Sequence, residues 1–379
     1  MNKKGKDLKI CIIYNYAQHY RLAIFQLLDK EFDCDFYFGD RMKEMKDIKK
    51  LDYSLLPGFK RELKNISLIS HFYWQKGAVS LFFKNYDKYI ILGEYYCLST
   101  WIILLLGKVF GKKIYLWSHG WYGNENKIKR FIKRIFFKLS NEVFLYGNHA
   151  RNLMIKEGCS AERLHVIYNS LYYTEQVQIR NKLMISSIYD NHFKNQNPVI
   201  LFIGRLTKEK MLDMILQAQN ILSDKNIFAN VVIIGSGEEE MNLKKMMVAL
   251  KNINCWFYGP CYDEQKIGEL IYNATICVSP GNVGLTAVHS MVFGTPVISH
   301  NDFASQGPEF EAIIAGETGD YFKKGNVEDL ARVIEIWIAP KAINQREMVR
   351  KLCYKVVDEK FNPYYQLKVF MKVMNSSKN

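Results

Sequence analysis

Short uninterrupted apolar runs alternate along this chain with longer stretches in which apolar residues recur every three or four positions. Runs at residues 8–14, 35–38, 89–93, 113–118, 142–146 and 164–168 predict strands in the first half. Runs at 199–204, 230–235, 255–258, 275–279 and 296–299 predict strands in the second. Most are continuous rather than alternating, the pattern of parallel strands covered on both faces. Helical spacing fills the intervals, for example at 212–222 and 326–337. Strand and helix in alternation predict an α/β protein with a doubly wound sheet, and the pattern occurs twice. A polar, Asn-rich stretch before residue 199 marks a linker. The expected organisation is a first domain at 1–175, a linker at 176–198, a second domain at 199–360 and a C-terminal helix at 361–379 that could return to the first domain. The run WIILLL from Trp101 is far shorter than the roughly 20 residues of a membrane span, and is expected to form a buried helix on the first sheet.

Composition agrees with two domains: the chain has 379 residues, 49% of them hydrophobic and 24% charged, enough for a sizeable core. The eight cysteines show no Cys-x-x-Cys pair, which points away from a zinc site and towards a reducing compartment. Charge changes the picture more. Residues 1–200 hold 32 Lys and Arg against 18 Asp and Glu, whereas residues 201–379 hold 20 of each, so the whole net charge of +14 sits in the first half. A basic half implies an anionic partner: nucleic acid, anionic lipid or a phosphorylated substrate. The segment Lys127–Leu139 concentrates it, with six cations and no acid in thirteen residues. Its apolar stripe, Ile128, Phe131, Ile132, Ile135 and Leu139, has helical spacing and is expected to meet the sheet at least in part. Lys129, Arg130, Lys133 and Arg134 are then expected to face anionic headgroups at a membrane surface. No RNA-recognition signature accompanies these cations, so nucleic acid is not expected as a partner. The basic N-terminus lacks signal-peptide architecture. The expected location is cytoplasmic, peripheral at the inner face of the cell membrane.

Chemistry concentrates in the second half. The strand in VILFIGRLTKEK ends at Gly204 and is followed by Arg205 and Lys210. Cations at the carboxyl end of a parallel strand point into the crevice where such sheets bind ligands. Arg offers a planar fork for phosphate oxygens and Lys a compact charge. In SPGNVGLTAVHSMVFGTPVI a helix is expected at about 284–293, leaving the amides from Asn282 to Leu285 free to meet an anion. Together these groups would form a diphosphate cradle. His119, in IYLWSHGWYG, and Glu94, in ILGEYY, end two strands of the first half, and His19 and Arg21 follow its first strand.

These residues carry a resemblance. The Gly-Arg-x4-Lys at 204–210, Gly235-Ser236-Gly237, Phe257-Tyr258-Gly259, Ser279-Pro280, Gly284-Leu285 and Gly294-Thr295-Pro296-Val297-Ile298 resemble the retaining glycosyltransferases of family 4, as do Tyr20-Arg21, Ser118-His119-Gly120 and Asn169. The resemblance implies the GT-B fold of two facing Rossmann-like domains. It implies a nucleotide-diphosphate sugar as donor, held by Arg205, Lys210, Tyr258, Asn282, Val283, Gly284, Leu285 and His289, and no cofactor or metal. His119 would face the transferred sugar as the catalytic residue. His19, Arg21 and Glu94 would meet a lipid-linked or glycan acceptor. The implied activity is retaining transfer to a lipid-linked or surface-polysaccharide intermediate. One departure matters: the family commonly carries Glu-x7-Glu, and the two positions are here Gly281 and His289. The alternative reading is therefore a catalytically silent GT-B protein acting as a partner subunit. Asp33 and Asp35 spell the Asp-x-Asp of metal-dependent enzymes, but at the wrong end of a strand.

Overall fold

The structure is a computed structural model that describes residues 8–42, 49–251 and 254–376. The chain divides into two compact units, Met1–Tyr172 with Asn362–Asn379, and Tyr173–Phe361. Among the described residues the first unit has eight strands: β1 (Lys9–Tyr14), β2 (Asp33–Gly39), β3 (Phe59–Ser67), β4 (Tyr73–Lys76), β5 (Lys88–Leu92), β6 (Lys113–Ser118), β7 (Glu142–Leu145) and β8 (Leu164–Val166). Their order is β4-β3-β2-β1-β5-β6-β7-β8. All neighbours are parallel except β3 and β4.

The uninterrupted apolar strands have a direct cause, because successive residues feed two different cores. Ile10, Ile12 and Tyr14 of β1 pack with Phe25, Leu28 and Phe370 on one side of the sheet. Cys11 and Ile13 pack with Leu81, Ile103, Leu104 and Phe136 on the other. Phe370 comes from the helix Pro363–Ser376, which belongs to the first unit. There Gln366 Nε2 donates to Tyr168 O at 2.9 Å, and Gln366 Oε1 accepts from Ser170 Oγ at 2.7 Å. The helix Leu98–Phe110 departs from its expected burial. Ile103 and Leu104 are buried, but Ile102, Leu105, Val109 and Phe110 are 40%, 47%, 77% and 61% exposed. Its apolar residues run all round, and a helix on a sheet has only one face to bury.

The second unit is a six-stranded parallel sheet among the described residues: β9 (Val199–Ile203), β10 (Asn230–Ile234), β11 (Cys255–Gly259), β12 (Ile276–Ser279), β13 (Val297–His300) and β14 (Gly319–Phe322), in the order β11-β10-β9-β12-β13-β14. The expected linker at 176–198 is corrected, since two helices, Tyr173–Arg180 and Ile188–Phe193, belong to this unit. Polar contacts hold them: Gln176 Nε2 donates to Glu264 at 2.7 Å, and Tyr189 Oη donates to Leu270 O at 2.6 Å. A segment anchored by hydrogen bonds shows no apolar periodicity, and so reads as a linker.

Candidate active site

Each sheet has a point where the strand order reverses, and the carboxyl ends on either side open a crevice there. In the first unit that point lies between β1 and β5. Asn15 follows β1 directly, Glu94 ends the turn after β5, and His119 follows β6. They line a cavity of roughly 900 Å³ with Arg41, His71, Tyr73, Tyr95, Tyr96 and Tyr122. Glu94 is held from two sides: Asn15 Nδ2 donates to Oε1 at 2.8 Å and Tyr73 Oη to Oε2 at 2.7 Å. The Oδ1 of buried Asn15 has no hydrogen-bond partner. A cavity lined by aromatic rings and a fixed carboxylate suits a hydroxyl-bearing ligand, whose C–H faces stack and whose O–H groups donate.

His119 stands open to this cavity with its ring 4.7 Å from Tyr146 and 6.1 Å from Tyr122. The crowding cavity walls, followed by the charges of Arg21 and Lys133, push its imidazole down to about 4. It is therefore neutral at physiological pH and acts as a hydrogen-bonding group rather than a cation. Arg21 does not line the cavity. It is buried, with its guanidinium 5.2–5.5 Å from the rings of Tyr14, Tyr20, Trp117 and Tyr146. His19 Nδ1 lies 3.0 Å from the Tyr172 hydroxyl.

The basic helix Lys127–Leu139 is turned the other way from expectation. Its buried residues are Lys133, Phe136 and Phe137, while Ile128, Phe131 and Ile135 are 73%, 57% and 40% exposed. Lys133 does not face solvent: its Nζ donates to Glu125 and to Gly120 O, both at 2.6 Å. Glu125 also accepts the amides of Tyr122 and Gly123 at 2.9 Å. This pair anchors the turn after His119, where Gly120 adopts φ +69°. Lys129 is half-buried and lines the cavity. Of the four cations expected outside, Arg130 and Arg134 are exposed, and Arg130 is paired with Glu157. The physical reason is the buried acid: Glu125 gives a lysine a partner inside, and two phenylalanines fill the adjacent core better than Ile128 and Phe131 would.

In the second unit the order reverses between β9 and β12. Arg205 and Lys210 follow β9, and the turn 280–285 follows β12. Arg205 is exposed and forms no ion pair among the described residues. Lys210 is half-buried and its Nζ donates to Asn282 O. Burial, followed by the Arg205 charge, pushes Lys210 down to about 8. Like charges held close at a carboxyl-end crevice are a site for an anion. Asp33 and Asp35 lie elsewhere, in β2, where Asp35 accepts from Tyr86 at 2.7 Å and pairs with Lys60 at 2.9 Å.

The turn after β12 differs from the expected helix start in three ways. The helix spans only Thr286–Val292, so its dipole is small and the cradle rests on the two cations. The amide of Val283 is not free, because it donates to Gln306 Oε1 at 2.9 Å. The Asn282 side chain accepts from Gly307 N at 3.1 Å. Gly284 and Leu285 remain at the turn, half-buried. Among the described residues His289 is held elsewhere, its Nε2 2.9 Å from Glu264. Tyr258 sits on edge strand β11, two strands from β9, with its ring 5.0 Å from Trp256. Sequence reasoning missed Glu309, which is 4% exposed and supports the charge of Lys210. Its one signal is a turn-forming Gly307-Pro308 just before it.

Comparison with known proteins fits this geometry. Residues 187–355 match the family model described as "Glycosyl transferases group 1". A 41.2 kDa protein in the cps region of Klebsiella pneumoniae is 22% identical over 295 residues, 77% of this chain and 72% of that one. The capsular polysaccharide biosynthesis glycosyltransferase CapM of Staphylococcus aureus is 25% identical over 173 residues, 44% of this chain and 43% of its own length. The crystal structure of Anabaena Alr3699/HepE in complex with UDP has a TM-score of 0.72 at 13% identity, covering 97% of this chain and 100% of that one. The two-unit, parallel-sheet architecture is that of GT-B proteins, and the second unit carries a glycosyltransferase domain.

Proposed function

We propose that this glycosyltransferase takes its sugar from a nucleoside-diphosphate donor and passes it, with retention at the anomeric carbon, to a hydroxyl of a lipid-linked or surface-polysaccharide acceptor. The observation that carries the donor class is the pair Arg205 and Lys210 at the reversal point of the second sheet, with Lys210 pushed down to about 8 by burial and by its neighbour. A lysine depressed by a neighbouring cation is relieved by a diphosphate. As the bond between the anomeric carbon and the diphosphate oxygen breaks, charge grows on the departing phosphate, and fixed cations lower the barrier most there. That stabilisation is supplied by side chains, so the reaction proceeds without a metal. The acceptor oxygen forms the new bond to the anomeric carbon, and its proton leaves to the departing phosphate. UDP in the Anabaena structure and the capsular role in the name of the Staphylococcus aureus relative support this reading.

The cavity of the first unit is the acceptor site in this reading. Glu94 accepts acceptor hydroxyls, and neutral His119 hydrogen-bonds the sugar in transit. Titration of UDP, GDP, ADP, CDP and dTDP by calorimetry tests the donor class. At least one should bind in the micromolar range, with and without EDTA. Binding by none, or loss on chelation that magnesium restores, would overturn it.

The acceptor side also accounts for the exposed face of Lys127–Leu139. Lys127, Arg134 and Lys138 flank Ile128, Phe131 and Ile135, cations beside apolar residues on one surface, which suits an anionic bilayer. Vesicles of phosphatidylglycerol should sediment the wild type, and Ile128→Ser with Phe131→Ser should reduce that at least tenfold. Equal sedimentation of both proteins would sink the membrane assignment.

A further inference from the structure

The structure assigns a part to Glu309 that the strand ends alone do not reveal: we infer that its carboxylate holds the glycosyl group of the donor and selects among sugars. Three observations converge on it. Position 281 cannot supply any side chain to the site, because a Cβ on Gly281 would stand 1.9 Å from Glu209 O. The loop after β13 fills that role by folding back over the turn. Gln306 accepts from Val283 N at 2.9 Å and donates to Ser299 Oγ at 2.8 Å and His300 O at 3.1 Å. Gly307 N donates to the Asn282 side chain at 3.1 Å. The 3₁₀ turn Pro308–Ala312 then directs Glu309 inward. A Cβ on Gly307 would lie 2.9 Å from Glu309 Oε2, 3.2 Å from Asn282 Oδ1 and 3.4 Å from Gly284 Cα. The carboxylate therefore stands against the turn whose carbonyl at 282 engages Lys210.

Chemistry says what such a group faces. The charge of this carboxylate would repel the phosphates that Arg205 and Lys210 attract. What it can hold is the neutral, hydroxyl-rich group joined to them. An acceptor-only carboxylate bonds hydroxyls at fixed positions, and a site built to bond a hydroxyl rejects an analogue that places it elsewhere. Glu309 is thus a specificity-determining residue.

The inference rests on the donor reading above, and the test separates the two. UDP, GDP, UDP-glucose, UDP-galactose and GDP-mannose are titrated against the full chain, and against Glu309→Gln and Glu309→Asp, by calorimetry. The wild type should prefer one conjugate over another of the same or the alternative base by tenfold or more, after division by the affinity of the bare diphosphate. Glu309→Gln, close to the native shape, should bind the diphosphate within threefold of wild type, which also serves as its folding control. Its preference among sugars should collapse to threefold or less, and Glu309→Asp should fall between. Unchanged preference in Glu309→Gln, or no preference in the wild type, overturns this inference alone. So does a loss shared equally by diphosphate and conjugates, which would make Glu309 only a counter-ion of Lys210. Failure of the wild type to bind any of the five overturns the donor reading and this one with it.

Discussion

The two crevices occupy equivalent places in their sheets and treat charge in opposite ways. In the first unit the fixed carboxylate and the buried lysine at the cavity are answered from within the unit. Glu94 is bonded by Asn15 and Tyr73, Lys133 is closed against Glu125, and His119 is neutral. In the second unit Arg205 faces solvent and Lys210 carries a repelled charge. A site whose carboxylate is already held by neutral donors selects by shape and hydroxyl geometry. A site with charge in excess waits for a ligand that brings the counter-charge. The same topology thus serves a neutral and an anionic ligand, and the difference lies in a few side chains at the strand ends.

The comparison breaks most sharply in the second unit. Arg205→Ala together with Lys210→Ala should weaken nucleoside-diphosphate affinity about a thousandfold, since each charge-assisted contact is worth roughly ten- to a hundredfold. Calorimetry on the double variant checks it, and a loss under tenfold would show that excess charge is not what the crevice uses. Next in size is Lys133→Met in the first unit. It leaves Glu125 buried without its cation, which costs roughly 3–5 kcal/mol, read as a lower urea midpoint. Lys133→Met with Glu125→Gln should recover at least half of that, and no recovery would mean the pair is not what stabilises the turn.

The smallest effect sharpens the comparison through pH. Lys210 sits near 8 in the free protein, and a bound diphosphate favours its protonated form. Between about pH 7 and 8 the charge is present, the terminal phosphate is ionised and affinity is level. Above that range, binding must draw a proton from solvent, so affinity falls by up to about tenfold per pH unit until the pKa of the complex is reached. Lys210→Arg keeps its charge throughout and should flatten the curve. No inflection from His119 is expected between pH 5.5 and 8, because its imidazole sits near 4.

What could be read from residues alone follows the same physics. Strands β1 and β9 were legible because both faces are covered, which forces apolar residues without a break. Strand β3, FKRELKNIS, was not legible, since most of its side chains are exposed. Strand β14, GDYF, is too short to carry a signal. Arg205 and Lys210 were legible because the end of a parallel strand is a fixed address for ligand groups. Lys133 was misread because helical periodicity reports that two faces differ, not which one turns inward, and the decisive partner Glu125 lies in the preceding turn. Glu309 was missed for a third reason. Its place depends on Gln306 and Gly307 bonding back to residues more than twenty positions earlier, and no local pattern records such a fold-back.

The outward turn of the basic helix has a consequence for how the molecule behaves in concentrated solution. Ile128, Phe131 and Ile135 leave exposed apolar surface on this helix, and the surrounding lysines and arginines keep two copies apart through their mutual repulsion. That repulsion reaches only about 10 Å at 0.1 M salt and about 3 Å at 1 M, while apolar attraction survives added salt. Colloidal stability should therefore run against the usual habit of adding salt to keep a basic protein dispersed. Light scattering should show single particles in dilute buffer and growing clusters as sodium chloride is raised, and a mild detergent should reverse the clustering where dilution of the salt alone is slow.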